Sequence, residues 1–424
     1  MPNFIELYEE LLRELADLEV VDIHQHLNPN QLTAKSFEDI IFYHYIATEL
    51  ASAGMNREEF EKAQRKEKLL MALPYFKYVK NTSTFWCLRH ILRNLYGIDV
   101  KSIDESNWKE VAEAIEGKQR NGEWAYEVLK KFCKIRKSFL TINPLEPLPQ
   151  YDRDLFTGAL RVEHIVQGLS KDAILKIEQL LGIEINDAES LENAVESLFR
   201  KFVNDIVTIT VPIQPDEIFG FPHKSEVTIY IRDLKKRGIV NDEERMVIAS
   251  YVLHKLLSLC SRYKKAVQFM LGVKKPLPMA APPDYAITVY NPNQILNLVK
   301  IFAMYSEVRF DVLIADSALS HQLTVVAKNY PNVSLSGYWW YSMYPEIIRS
   351  YLKLRLQMLP YSKIGGFFSD AYVVEWVYGK ASLAKKELAY ALSEMVYLNY
   401  IDRESALELA KSILCENSIH VYKL

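Results

Sequence analysis

Two histidines separated by one residue are the strongest chemical feature of this sequence. His24 and His26 follow a largely apolar run at residues 20–23. Alternate side chains of a β-strand point to the same face, so this spacing can present two imidazole nitrogens to one ion. Imidazole binds divalent ions such as zinc, and such ions need further ligands from elsewhere in the chain. The pair predicts half of a metal site, and the alternative is two surface histidines after an edge strand.

A carboxylate far along the chain is the best candidate for another ligand. Asp370 closes a short β-rich run at residues 366–369. A carboxylate at a strand end can bind an ion, accept a proton from a substrate, or do both. Asp370 could instead be the N-cap of a helix predicted at residues 371–378, and the two roles can coexist. The sequence therefore predicts one divalent ion between His24, His26 and Asp370, with zinc as the first choice.

Short β-rich runs alternate with longer amphipathic segments, a pattern typical of parallel strands joined by helical crossovers. Several runs are apolar throughout, as expected for strands buried on both faces. The predicted strands span residues 20–24, 138–142, 156–162, 205–211, 266–272, 310–315, 332–336 and 366–369. Eight strands favour an α/β fold, a (β/α)8 barrel of the TIM type, as a single domain over residues 1–424. An open doubly wound sheet is the alternative.

The spacing of the predicted strands is uneven. Residues from about 30 to 136 have helical patterns and contain no predicted strand. In a barrel, the loops that follow the carboxyl ends of the strands form the active-site face. We therefore predict a large helical insertion after strand one that caps the active site and supplies residues to it.

Composition restricts the class of partner. The formal net charge is −3, which gives no electrostatic reason to expect nucleic acid or an anionic membrane. The four cysteines are far apart, so neither a disulfide framework nor a cysteine zinc site is predicted. The N-terminal residues do not follow the signal-peptide pattern, and no apolar run is long enough to span a bilayer. We expect a cytoplasmic enzyme with a small-molecule substrate, and homo-oligomerisation stays open.

Five short motifs at the predicted strand ends and in the insertion carry a family resemblance. They are Val21-Asp22-Ile23-His24-Gln25-His26-Leu27, Tyr43-His44-Tyr45, Gly158-Ala159-Leu160-Arg161, Gly337-Tyr338-Trp339-Trp340 and Phe368-Ser369-Asp370. Together they resemble the uronate (glucuronate) isomerase family of the amidohydrolase superfamily, over nearly the whole chain. The paired tryptophans followed by Ser369-Asp370 are far more specific than the histidine pair alone.

The resemblance implies an enzyme of carbohydrate metabolism that interconverts open-chain hexuronates and the matching keto acids. A proton would move between C1 and C2 of the sugar through an enediol. The implied metal ligands are His24, His26 and Asp370. The implied catalytic residues are Asp370 as the base, with Tyr45 and His44 assisting proton transfer or binding hydroxyls. The implied substrate-binding residues are Arg161, Trp339, Trp340 and Tyr372.

Four of these residues also have a structural alternative. Arg161 could be an ion-pair partner of Glu163. Trp339 and Trp340 could serve packing at the barrel rim, because aromatic side chains bury large apolar areas wherever they fall. Tyr45 lies in a segment dense in aromatic residues, where packing alone would account for it.

The sequence also departs from the family pattern. Tyr372 stands where the isomerases carry an arginine that holds the substrate, and Ala51 or Ser52 replaces another arginine. Tyrosine is neutral and has one donor, so it cannot replace a bidentate guanidinium. The predicted fourth and fifth strands contain no histidine, which indicates a mononuclear site with few protein ligands. Arg161 becomes the main candidate for binding a carboxylate, with Lys274 and Lys275 as further candidates.

The missing arginine keeps a second hypothesis open. A metal-dependent hydrolase or decarboxylase would act on a hydroxy acid or lactone, and Asp370 would take the proton of a water nucleophile. A third hypothesis is a barrel that binds a ligand without catalysis. The three intact potential ligands, drawn from two separate strands, argue against that third hypothesis.

Overall fold

A sheet of eight parallel strands forms the centre of the molecule. The computed structural model describes residues 3–119, 122–277, 280 and 286–424. The sheet consists of β1 (Val20–Gln25), β2 (Ile135–Ile142), β3 (Phe156–Arg161), β4 (Ile206–Ile213), β5 (Ala266–Leu271), β8 (Phe310–Ile314), β9 (Val333–Ser336) and β10 (Ile364–Gly365), paired in that order. A separate antiparallel ladder joins β6 (Val273–Lys274) to β7 (Ile287–Thr288).

Backbone hydrogen bonds join the two edges of the eight-stranded sheet. The Asp370 N–H donates to the His24 carbonyl (3.0 Å), and the His26 N–H donates to the Ala371 carbonyl (2.8 Å). The predicted (β/α)8 barrel is thereby confirmed. The last strand differs in position from the prediction of residues 366–369, since its ladder ends at Gly365. The residues that follow bond irregularly to the end of β1 and do not continue the ladder.

Helices alternate with the strands from β3 onward and cover the outside of the barrel. They are α9 (Lys171–Leu181), α10 (Ala188–Phe202), α11 (Lys224–Arg237), α12 (Asp242–Tyr263), α13 (Pro292–Met304), α14 (Ala318–Asn329), α15 (Pro345–Met358) and α16 (Val374–Tyr397). The N-terminal helix α1 (Phe4–Ala16) and the C-terminal helices α17 (Arg403–Lys411) and α18 (Asn417–Tyr422) complete the fold. No helix in the described part of the chain combines the length and apolarity needed to cross a bilayer.

The long connection between β1 and β2 is helical. It contains α2 (Glu38–Ile41), α3 (His44–Ser52), α4 (Arg57–Lys62), α5 (Arg65–Ala72), α6 (Ser83–Tyr96), α7 (Trp108–Gln119) and α8 (Trp124–Tyr126). A short helical turn at Leu73–Tyr78 links α5 to α6, and another at Glu127–Phe132 leads from α8 to β2. Further turns lie at Trp340–Ser342, Tyr361–Lys363 and Ser412–Glu416. The first turn of α3 carries His44 and Tyr45 to the mouth of the barrel.

The barrel strands are buried on both faces. Every residue of β1, β5 and β8 is buried, which agrees with the apolar runs in the sequence. At the end of the barrel opposite His24, the C-terminal helix inserts Tyr422. The Tyr422 hydroxyl donates to Oδ2 of Asp311 (2.5 Å) and accepts from Nε2 of Gln268 (2.9 Å). These bonds tie the C-terminus to two barrel strands.

Candidate active site

Three potential metal ligands meet where the first and last strands join. His24 lies on β1, His26 follows it, and Asp370 follows β10. One donor atom from each residue lies within 4.8 Å of the other two. Oδ1 of Asp370 is 3.7 Å from Nε2 of His24 and 3.2 Å from Nε2 of His26. The structure thus brings together the three residues that the sequence singled out.

A buried carboxylate on β1 fixes the turn that carries Asp370. Oδ1 of Asp22 accepts the Ser369 N–H (2.8 Å), and Oδ2 accepts the Ser369 hydroxyl (2.6 Å). Asp370 itself has φ +51°, in the left-handed region that non-glycine residues seldom adopt. Such backbone conformations persist where surrounding contacts hold them, often at functional sites. Sequence reasoning missed this role of Asp22, although an acidic residue within an apolar strand was a usable signal.

The protonation states of the ligands suit a cation. Burial, with a smaller contribution from His26, lowers the pKa of His24 to about 3, so the imidazole is neutral near pH 7. Burial alone would raise the pKa of Asp370. Its hydrogen bond and electrostatic interaction with His26 outweigh that effect and hold the pKa well below the usual range. Two imidazoles and an ionised carboxylate form a donor set typical of a divalent metal site.

Residues of the insertion approach the same carboxylate. The Tyr45 hydroxyl donates to Oδ2 of Asp370 over 3.5 Å, and the Tyr43 hydroxyl donates to the Asp370 carbonyl over 3.2 Å. Burial lowers the pKa of His44 to about 3, with a further contribution from the Lys380 ammonium. His44 is therefore neutral near pH 7. Tyr45 and His44 both line the cavity above the histidine pair.

Cationic and aromatic side chains also line the cavity. Arg161, at the end of β3, lines the cavity and forms an ion pair with Glu163 through its Nε. Arg161 therefore both faces the cavity and forms the ion pair with Glu163 that was its structural alternative. Trp339 and Trp340 also line the cavity, with ring centroids 6.0 Å apart. Trp340 has φ +49°, a second left-handed residue at this site.

Tyr372 lies at the mouth of the cavity and is 49% exposed. Its ring stacks on the His26 imidazole, with centroids 5.0 Å apart and planes 15° apart. It also meets the His44 ring edge-on at 5.4 Å. Tyr372 thus covers a candidate metal ligand with a neutral ring, at the position where the motif resemblance implies an arginine in the isomerases.

One further residue at the site was not assigned from the sequence, and a second was considered there only as a further candidate. Thr141, on β2, places Oγ1 3.2 Å from Nδ1 of His26 and so orients that ring. Lys275, one of the two neighbouring lysines considered above, lines the cavity. A polar residue late in an apolar strand was the available signal for Thr141.

Three solved structures share this fold over nearly the full length of the chain. A uronate isomerase from Thermotoga maritima is 15% identical, with a TM-score of 0.88 over 98% of this chain and 97% of that chain. A uronate isomerase from Bacillus halodurans is 19% identical, with a TM-score of 0.82 over 100% and 97%. A glucuronate isomerase from Caulobacter crescentus is 16% identical, with a TM-score of 0.88 over 100% and 95%.

These likenesses define the class of fold. The chain has the barrel fold of the uronate isomerases, as the motif resemblance implied. A scan of protein-family models and a search of curated proteins returned no match. At identities below one fifth, structural likeness establishes the fold, and the chemistry has to be argued from the site.

Proposed function

We propose that this protein is a metal-dependent isomerase that interconverts the aldose and ketose forms of a hexuronate or a related sugar acid. The main support is the meeting of His24, His26 and Asp370 at the floor of a cavity that Arg161 also lines. This arrangement combines potential metal ligands, a candidate base and a cation for an acidic substrate. The uronate isomerase fold supports the same chemistry.

One divalent ion, with zinc as the first choice, would be held by His24, His26 and Asp370. Their spacing and the neutral state of His24 fit such an ion. When bound, a divalent ion supplies Lewis-acid polarisation of a substrate oxygen. The described parts of β4 and β5 contribute no histidine, so one ion suits the donor set better than two.

Asp370 is proposed as the base that moves the proton between C2 and C1. Its carboxylate is ionised near neutral pH and faces the cavity, so it can take the C2 proton of the aldose and return it to C1. Tyr45, within 3.5 Å of Asp370, can donate to a sugar oxygen as charge develops there. Neutral His44 can donate or accept one hydrogen bond with a hydroxyl.

A hydrolase or decarboxylase that acts on a hydroxy acid or lactone is the second candidate. Tyr372 favours this candidate. The neutral tyrosine ring, which stacks on His26, cannot replace the arginine contact that the resemblance implies for the isomerases. In the hydrolase, Asp370 would accept the proton of an attacking water. The same three ligands would serve, so substrate conversion has to separate the two candidates.

A substrate panel with metal-loaded protein tests the proposal. Metal content is measured first, in wild type and in His24→Ala and His26→Ala. We expect close to one divalent ion per chain in wild type and its loss in both variants. Hexuronates and shorter aldose acids are then assayed beside lactones and esters. Formation of a keto acid supports the isomerase, hydrolysis of a lactone or ester supports the second candidate, and failure to take up any metal overturns both.

A further inference from the structure

We infer that Lys275 is the cationic contact for the carboxylate of the substrate. This inference rests on the proposed sugar-acid function for the class of ligand. Lys275 would then select acidic over neutral substrates. The anionic end of the substrate would lie on the β3–β5 side of the cavity, away from Tyr372.

The structure separates two lysines that are neighbours in sequence. Nζ of Lys274 pairs with the Asp216 carboxylate at 2.7 Å, and the Lys274 side chain is 39% exposed. Lys275 lines the cavity together with Arg161, Trp340 and Asp370. Its Nζ lies 5.5 Å from the centre of the Trp340 ring. Only the second lysine of the pair therefore offers its charge to the cavity.

The charge balance of the cavity favours an anion beside Lys275. Arg161 lines the same cavity but is already paired with Glu163, and no ion pair is found for Lys275 among the described residues. Burial lowers the pKa of Lys275, and Arg161 lowers it further, while Glu163 and Asp370 act in the opposite direction. Two cations that share one cavity repel each other. A carboxylate bound between them would offset that repulsion and stabilise the charged form of Lys275.

The position of Tyr372 is consistent with this placement. The tyrosine ring stacks on His26 at the end of β10, whereas Lys275 follows β5, three strands away in the sheet. A substrate whose reacting carbons lie at Asp370 can therefore extend toward Lys275 and Arg161, where the cationic side chains are. Trp340, beside Lys275, can pack against the carbon chain of the sugar acid.

Direct binding by metal-loaded protein tests this inference without turnover. The probe is D-gluconate, a sugar acid without an aldehyde, and its uncharged counterpart is D-glucitol. Titration calorimetry is run on wild type, Lys275→Met, Lys275→Arg and the matched control Lys274→Met, with melting curves to confirm folding. We expect Lys275→Met to weaken gluconate binding about ten- to a hundredfold, since a charge-assisted contact is lost. We expect Lys275→Arg to retain most of the affinity, Lys274→Met to match wild type, and no variant to change glucitol binding.

Two outcomes would overturn the inference. One is equal gluconate affinity in Lys275→Met and Lys274→Met. The other is an equal loss of gluconate and glucitol binding in Lys275→Met, which would mean that Lys275 only supports Trp340. Lys275-dependent gluconate binding by a protein that isomerises no sugar acid would leave this inference intact and reject the proposed function.

Discussion

At the scale of single residues, the account depends most on Asp370, which would serve as both ligand and base. In Asp370→Asn the amide fills the same space but cannot accept the C2 proton. We expect turnover to fall by roughly 10²–10⁴, because that is the usual contribution of a positioned base. Binding of a non-reacting sugar acid should fall much less. Steady-state rates and gluconate titration, both at matched metal content, measure the two effects.

Tyr45→Phe is the matched comparison for that variant. It removes the hydroxyl that faces Asp370 and keeps the ring in place. Its rate should lie between those of wild type and Asp370→Asn. Near-normal turnover in Asp370→Asn at full metal content would assign the base to another residue.

Tyr372 is the second residue whose replacement is informative. Tyr372→Arg should raise the kcat/KM for hexuronates about ten- to a hundredfold, because a guanidinium beside His26 adds a charge-assisted hydrogen bond, worth roughly 1.5–3 kcal/mol, to a substrate oxygen near the reacting carbons. Tyr372→Phe keeps the ring that stacks on His26 and is the control. Assays on D-glucuronate and D-galacturonate compare the three proteins. A wild type that already converts both sugars at ordinary enzymic speed would show that the family arginine is dispensable here.

At the scale of elements, the joint between β1 and the segment after β10 forms the site. Asp22 makes this joint with two hydrogen bonds to Ser369. Asp22→Asn keeps one acceptor and loses the other. We expect metal affinity to fall about 10–100-fold although all three ligands remain, because outer partners orient the ligands. Competition with a chromophoric chelator measures this affinity.

The same variant separates metal affinity from overall stability. Burial raises the pKa of Asp22 to about 7, so the carboxylate charge is costly to bury. A neutral amide should therefore leave the Tm of metal-free protein unchanged or higher. Unchanged metal affinity in Asp22→Asn would show that the joint does not position Asp370.

The elements also show what the sequence could predict. The apolar runs predicted the barrel strands because parallel strands are buried on both faces. The strand-end positions and the family motifs predicted that His24, His26 and Asp370 meet at one site. The bond between Asp22 and Ser369 joins residues 347 positions apart, and no local pattern encodes it. The side chain of Lys274 pairs with Asp216, whereas that of Lys275 lines the cavity. This difference depends on the local backbone, which the spacing of residues in the sequence does not specify.

At the scale of the whole molecule, the buried Asp311–Tyr422 bond makes stability depend on pH. Burial raises the pKa of Asp311 to about 6, and the Tyr422 hydroxyl partly opposes that rise. The folded protein therefore holds this proton more tightly than the unfolded chain, whose aspartates titrate at about 3.9. The stabilising contribution is fully present below about pH 4 and is lost as the pH rises through about 6.

Asp311→Asn removes this titration while keeping an oxygen that can accept from Tyr422. We expect the variant to gain on the order of 2–3 kcal/mol in free energy of unfolding, relative to wild type, between pH 4 and pH 7.5. Urea unfolding at both pH values measures the difference, and contributions from other carboxylates cancel in the comparison. Parallel pH profiles for the two proteins would show that Asp311 titrates normally in the folded state.

The central claim, proton transfer between C2 and C1 of a sugar acid, is tested most directly in D₂O. Metal-loaded wild type is incubated with hexuronates and shorter aldose acids, and the products are followed by NMR. The account predicts that at least one acid is converted to its keto isomer, with deuterium at C1 of the product or at C2 of recovered aldose, and that Asp370→Asn forms neither. Every aldose acid remaining unchanged and unlabelled, while a lactone or ester is hydrolysed, would contradict it.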